Sequence, residues 1–255
     1  LFKRIDRIIV NSKDFKKELK KKFRVNSVCI YNPLNKEFIN RCAKAKVNFN
    51  FFEDKNLKII NIGRLVDQKD QITFLKALNL IKKKINFKAL IMGSGERKKN
   101  LMKYIVKNNL ERKVKIIDFK DNPFTYLNKA DVMVHTAKFE GLPNVLLEAL
   151  SLKKFIIATN CPTGPSEILS RGKGGDLVKI GEAQKKTIKQ FKAKIKNFNV
   201  KKNDYNIVNI INDVIEEFRI KEHYEKQNTS ESNERWQNIE ELVNGMMDYD
   251  NEKES

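Results

Sequence analysis

Residues 139–150 read Phe-Glu-Gly-Leu-Pro-Asn-Val-Leu-Leu-Glu-Ala-Leu, and they hold the densest chemistry of the chain. Two carboxylates, Glu140 and Glu148, bracket a stretch that contains Gly141, Pro143 and Asn144. A short β-like run, Asp131-Val-Met-Val-His135, precedes them. The layout predicts a strand, an acidic loop, and a helix opening near Pro143, because proline in a first helical turn gives up an N–H that lacks an intrahelical partner anyway. The free amides and positive dipole end of that helix suit an anion, a phosphate above all. Glu148 falls about 7 Å further along the axis at roughly 1.5 Å per residue, where a carboxylate can accept hydrogen bonds from sugar hydroxyls. An anion site beside hydroxyl acceptors has the chemistry of a nucleotide-sugar site.

Positioning such groups requires a scaffold, and the pattern on either side supplies one. Apolar runs of strand length occur at Lys58–Ile62, Lys88–Met92, Val114–Asp118, Asp131–His135, Phe155–Thr159 and Asp176–Val178. Segments of helical length lie between them, at Gln71–Lys84, Glu96–Asn108, Pro143–Leu152 and Pro165–Leu169. In the first of these, Ile72, Leu75, Leu78 and Ile81 recur at three-residue steps, which predicts a stripe facing the core. Strands alternating with helices imply an α/β fold, a Rossmann-like parallel sheet with helices on both faces. Ligands in such sheets bind at the carboxyl ends of the strands. The loops there carry Gly63, Arg64 and Lys69 after the first strand, Gly93 and Gly95 after the second, and Phe119 after the third.

These residues together resemble the retaining glycosyltransferases of the GT-B fold, in particular family four, which uses nucleotide-diphosphate sugars. Glu140 to Glu148 matches the family's Glu-x7-Glu motif. Ile62-Gly-Arg-Leu65 with Gln68-Lys-Asp70 is similar to its Gly-Arg…Lys segment, and Leu90-Ile-Met-Gly-Ser-Gly-Glu96 to its second glycine turn. Asn160–Leu169, containing Gly164-Pro-Ser-Glu167, and Gly172–Val178 resemble its closing segment. The resemblance covers roughly residues 1–219. It implies that Arg64 and Lys69 clamp the donor diphosphate and stabilise the charge that grows on the leaving nucleotide, without a metal or other cofactor. It implies contact of Glu140 with the transferred sugar and of Glu148 with the ribose. The amides of Gly141, Leu142, Asn144 and Val145 would hold phosphate or sugar oxygens, and Gly63, Gly93, Gly95 and Phe119 would line the nucleotide pocket. Asp118 departs from the family's usual glycine, which puts the base contact at Phe119 and the choice of nucleoside in question. His135 is expected to be a packed or hydrogen-bonded residue and not a catalyst. The expected donor is a UDP-hexose or UDP-N-acetylhexosamine, and the expected acceptor a lipid-linked or polysaccharide intermediate of cell-surface glycan synthesis. A non-catalytic half that binds nucleotide or a partner protein is the rival reading.

Composition narrows the alternatives. The 255 residues carry a formal net charge of +20, but 42 of the 52 basic residues are lysines, scattered among abundant Asn and Ile. Such a spread reads as compositional bias, with contact at an anionic inner-membrane surface as the second reading. Arginine, the better reader of bases and phosphates, is scarce, and no nucleic acid partner is expected. No run of 18 uncharged apolar residues occurs, as a spanning helix would need. Cys29, Cys42 and Cys161 are too few and too far apart for a disulfide framework or zinc site, which fits a reducing cytoplasm.

Domain organisation is expected as follows. Residues 1–40 look like the last strand, helix and hinge of an N-terminal acceptor domain, with a strand at Arg7–Ser12, a Lys-rich helix at Asp14–Phe23 and a hinge strand at Val28–Pro33. The chain opens at Leu1 without a natural start, as a fragment would. Residues 41–56 show no periodicity and are expected to be a linker. Residues 57–220 form the donor-binding domain. Residues 221–255 hold four basic and ten acidic side chains, a net of −6 against +26 for the remainder. They read as an acidic tail or as a foreign reading frame. Arg235–Gly245 also resembles a helix of superfamily-one DNA helicases, from which no helicase function is inferred.

Overall fold

The computed structural model describes residues 7–180, 184–204, 220–227, 229, 232–234, 236–239 and 241. In chain order its elements are β1 (Ile9–Val10), α1 (Lys13–Phe23), β2 (Val28–Cys29), α2 (Lys36–Ala43), β3 (Leu57–Ile62), α3 (Gln71–Ile81), β4 (Phe87–Met92) and α4 (Lys98–Lys107). They continue with β5 (Val114–Ile117), α5 (Phe124–Lys129), β6 (Val132–His135), α6 (Asn144–Ser151), β7 (Phe155–Thr159), α7 (Pro165–Ile168), β8 (Asp176–Val178), α8 (Gln184–Asp204) and α9 (Ile220–Gln227). The chain falls into two units, Leu1–Lys196 and Asn197–Ser255.

Six strands of the first unit form one all-parallel sheet in the order β5-β4-β3-β6-β7-β8. The expected α/β architecture is the one found. Purely parallel sheets are buried on both faces, and their strands are accordingly continuous apolar runs. Ile60, Ile62, Leu90, Met92, Met133 and Ile156 join one core cluster with Leu146 and Ala149 of α6, Leu152 just after it, and Tyr126 and Leu127 of α5. Ile59, Ala89, Ile91 and Val134, which alternate with them along the strands, are just as completely buried. In α3, Leu75, Leu78 and Ile81 are buried as expected, joined by Phe74, while Ile72 stays half-exposed.

The strand order matters for function. It runs outward from β3 through β4 to β5 in one direction, and through β6 and β7 to β8 in the other. Loops leaving the carboxyl ends of the neighbours β3 and β6 therefore depart to opposite sides, and a crevice opens between them.

Three local features depart from the sequence expectations. Residues 41–56 are packed, not loose: α2 runs to Ala43, Asn50–Phe52 form a 3-10 turn, and Phe49 and Phe52 enter the core cluster. The Phe49 ring meets Phe52 at 5.4 Å and Tyr126 at 5.0 Å, both edge-on. Aromatic clusters need no helical or strand period, which is why this one left no periodic trace. Second, a short helix, α5, occupies 124–129, where no element was expected. Third, Pro143 takes the position before α6, with extended ψ of 100°, and Asn144 begins the helix.

At the amino end, β1 and β2 pair in parallel, Ile9 with Val28 and Val10 with Cys29. They are shorter than expected. Ser12 caps α1 by accepting the Phe15 amide at 3.0 Å, as its position after a strand suggested. In the second unit, Thr229 and Ser232 exchange side-chain and backbone hydrogen bonds at 3.1 Å, and the Lys221 ammonium lies 5.5 Å from the Trp236 ring centre. The expected acidic tail and the helix resembling a helicase element lie largely outside the described residues.

Phe52 is 3% exposed within this aromatic cluster. Phe52→Ala should therefore destabilise the protein by about 3–5 kcal/mol, the usual cost of removing a core ring. A shift of the urea midpoint too small for that range would show that 41–56 acts as a linker after all.

Candidate functional site

The loops that follow β3 and β6 are laced together. The backbone amide of Lys138 donates to the Gln68 carbonyl at 2.8 Å, Gln68 Nε2 to the Phe139 carbonyl at 2.9 Å, and Thr136 Oγ1 to the Lys69 carbonyl at 2.9 Å. At the centre, the Lys69 ammonium forms an ion pair with Glu140 Oε1. Both side chains are largely buried, at 16% and 8% exposure. His135, at the last position of β6, completes the group: its Nε2 lies 3.1 Å from the same Glu140 oxygen, off the line of a well-directed hydrogen bond. Burial alone would raise the Glu140 carboxyl, but contact with His135 and Lys69 outweighs it and holds the group below the usual range. The neighbouring Cys161 thiol is pushed up to about 11, by burial first and by the Glu140 charge second.

A cleft of about 590 Å³ opens beside this group. Gly63, Arg64 and Lys69 line it from the β3 side, and Pro143, Asn144, Val145 and Glu148 from the start of α6. Arg64 is exposed, and its guanidinium makes no ion pair among the described residues. Gly93, Ser94 and Phe119 contribute from the loops after β4 and β5. Arg64, Lys69, Gly63, Gly93, Phe119, Asn144, Val145 and Glu148, chosen from sequence, thus meet in one cleft. Glu140 reaches it only through its ion pair with Lys69. Gly95, Gly141 and Leu142 are not in the cleft wall.

The glycines after β4 have a structural reason of their own. A Cβ on Gly93 would stand 2.0 Å from the Gly63 carbonyl oxygen, and one on Gly95 would stand 2.5 Å from the Leu65 carbonyl oxygen. The two loops cross too closely for any side chain there. Asp118, which replaces a glycine of the resemblance, accepts from the Lys98 ammonium at 2.7 Å and from Ser94 Oγ at 3.2 Å. It ties two loops together, while Phe119 beside it remains 56% exposed at the rim.

On α6 the first amides lack intrahelical partners by geometry, and the cleft lies over them. Asn144 holds its side chain with Oδ1 accepting from Asn32 Nδ2 at 2.8 Å. Leu142 is buried, and Gly141 is exposed near Asn11. Glu148 is half-buried and forms neither a hydrogen bond nor an ion pair through its carboxylate among the described residues; burial raises its pKa. Among the described residues no group of three or more His, Cys, Asp or Glu side chains is placed to hold a metal ion.

Three residues take places that the motifs did not show. Glu167 reaches the amino-terminal segment: its two carboxylate oxygens accept the amides of Lys13 and Asp14, each at 3.0 Å, and its Oε1 accepts from the Tyr31 hydroxyl at 2.5 Å. Tyr31 is consequently raised to about 12, the hydrogen bond to Glu167 being the main cause. The Gly-Pro-Ser-Glu pattern marked this residue but not its partners, which lie 136 to 154 positions away. Phe38 and Phe124 line the cleft as well, from α2 and α5. Neither was expected there, since no helix was assigned to residues 36–43 or 124–129.

Comparison with known proteins agrees with this architecture. An N-acetylgalactosaminyltransferase of Campylobacter jejuni that acts on a diphospho-undecaprenol-linked acceptor is 29% identical over 183 residues, 71% of this chain and 48% of that protein. An uncharacterized glycosyltransferase of Methanocaldococcus jannaschii is 41% identical over 121 residues, 47% of this chain and 30% of the relative. The chain thus spans about a third to a half of the length of these curated relatives. Among solved structures, Anabaena HepE in complex with UDP and glucose superposes with a TM-score of 0.62 at 20% identity, over 76% of this chain and 54% of that one. The pneumococcal O-GlcNAc transferase GtfA, in complex with UDP and GlcNAc, gives 0.62 at 17% identity, over 76% and 38%. Residues 43–206, well over half of the sequence, match the family model described as glycosyl transferases group 1, and the chain belongs to that family.

Proposed function

We propose that the chain is the donor-binding part of a retaining, metal-independent hexosyltransferase of glycosyltransferase family four, acting on a uridine-diphosphate hexose or N-acetylhexosamine. The observation that carries this reading is the single cleft in which Arg64, Lys69, the amino end of α6 and the unpartnered Glu148 carboxylate meet. A diphosphate placed over the α6 amides would face two cations. Arg64 offers a planar fork of donors suited to phosphate oxygens. Lys69 has three N–H donors and can keep Glu140 on one while turning another to phosphate. Together they would stabilise the charge that develops on the departing nucleotide, at positions fixed before reaction begins.

Glu140 takes two tasks in this scheme. It orients Lys69 through the ion pair, and it stands ready to accept a hydroxyl of the transferred sugar. Glu148 would accept from the ribose hydroxyls. A half-buried carboxylate with no protein partner among the described residues gives up part of its hydration, which costs stability, and a site awaiting hydroxyl donors explains why it is kept. Transfer would proceed by front-face attack, with the donor phosphate taking the acceptor's proton. The acceptor would be a lipid-linked or polysaccharide intermediate, met by a cytoplasmic protein at the anionic inner face of a membrane. The similarity to the Campylobacter enzyme, named for a diphospho-undecaprenol acceptor, favours that class.

Calorimetric titration with UDP tests the donor site. A charge-assisted contact contributes roughly 1.5–3 kcal/mol, so Arg64→Ala should weaken UDP by about one to two decades. Unchanged UDP affinity in that variant would remove Arg64 from the clamp.

Glu148 gives a test with a pH signature. Its folded pKa lies above its unfolded one, so ionisation in the folded state costs stability. That cost is absent below the unfolded pKa and fully present once pH exceeds the folded value. Glu148→Gln should therefore raise the urea midpoint at neutral pH, and the gain should shrink as pH falls towards about 4. The same variant should bind UDP more weakly. A variant less stable than wild type at neutral pH would contradict the assignment of an unsatisfied carboxylate.

Lys69→Ala leaves Glu140 buried without its main countercharge, which typically costs about 3–5 kcal/mol for a buried pair. The loss should be smaller when Glu140→Gln is added. A double variant as unstable as the sum of the two single ones would show that the ion pair is not coupled.

A further inference from the structure

The cleft has an aromatic side that the charged groups leave without a task. Phe38 of α2 and Phe124 of α5 line it, their ring centres 6.3 Å apart and their planes at 88°. Phe38 is 45% exposed, and the Arg41 guanidinium carbon lies 5.8 Å from its ring centre. An exposed ring forgoes the stabilisation that burial would give. The backbone beneath it is nonetheless firmly set. Asn35 Oδ1 accepts the Phe38 amide at 2.9 Å, capping α2 at this residue. At the other end of the helix, Asn122 Nδ2 donates to the Cys42 carbonyl at 2.9 Å and Asn128 Nδ2 to the Ala43 carbonyl at 3.3 Å. Both asparagines flank or belong to α5, so the two ring-bearing helices are locked to one another. A half-exposed aromatic ring on a firmly anchored helix in a ligand-sized cleft is matched to a flat partner.

We propose that Phe38 is a donor-binding residue whose ring supplies the stacking surface for the nucleobase of a nucleoside diphosphate, with Phe124 holding that ring edge-on. The proposal rests on the donor-site reading above. Its chemistry is the attraction of one π-face for another, which depends on ring area and not on the pattern of donors and acceptors. Phe38 would therefore contribute affinity for nucleotides as a class and leave the selection among bases to other groups. The residue lies before position 43, where the family match begins.

The experiment compares UDP with inorganic pyrophosphate, which keeps the charge and lacks the base. Titration calorimetry on the full chain would use wild type, Phe38→Ala and Phe38→Tyr, with thermal unfolding recorded for each. Phe38→Ala should weaken UDP about tenfold while pyrophosphate affinity stays within about twofold of wild type. Phe38→Tyr, which keeps the ring, should restore UDP binding. Unchanged UDP affinity in Phe38→Ala, an equal loss for both ligands, or failure of Phe38→Tyr to restore binding would each overturn the stacking role. Wild type that binds pyrophosphate and UDP equally well would overturn it too while leaving the anion site standing. Wild type that binds neither would overturn the donor-site reading, and this proposal with it.

Discussion

One ion pair joins the two loops that leave the sheet where its strand order reverses. Lys69 follows β3 and Glu140 follows β6, 71 residues later, and only the adjacency of those two strands brings them together. Taking both charges out of water is costly, and the gain must come from close geometry and further polar contacts. The structure provides them: His135 beside Glu140, the Thr136 hydroxyl on the Lys69 carbonyl, and the backbone link from Lys138 to Gln68. The cleft owes its shape to this arrangement, because the same lacing holds Arg64 and the start of α6 on facing loops.

Much of the scaffold was legible in the sequence because parallel strands are apolar runs bounded by turn residues, and the six strands expected for the main sheet are present within a residue or two. Proximity across the sheet was far less legible. The spacing from Glu140 to Glu148 is local and placed the second carboxylate on α6 correctly. The partnership of Glu140 with Lys69 is set by strand order, which no local pattern encodes. Phe49, Phe52 and α5 were missed for another reason. A 3-10 turn and a helix of six residues are too short to show a period, and their aromatic side chains are placed by tertiary packing. The acidic Glu167 stood out in a turn pattern, but whether it served a ligand or the chain itself could be decided only in three dimensions.

The two glutamates of the motif also show how environment divides one chemistry into two. Glu148 lines the cleft from α6, Glu140 lies behind Lys69 on the preceding loop, and both lose much of their contact with water. Glu140 is held below the usual carboxylate range by the His135 ring and the Lys69 ammonium at contact distance, whereas Glu148 has burial acting on it alone and shifts the opposite way. The first carboxylate thereby ties two loops together, while the second keeps its oxygens free of any protein partner among the described residues.

Glu167 bears on the order in which the protein can be completed. Two of the free amides at the start of α1 are satisfied by its carboxylate, from more than 150 residues downstream. During synthesis from the amino end, α1 and Tyr31 emerge well before their partner exists. Ser12 can close one hydrogen bond at once, but the remainder must wait for water to be replaced after α7 has been made. The amino end of α1 thus acquires its last two hydrogen-bond partners only from a segment made more than 150 residues later.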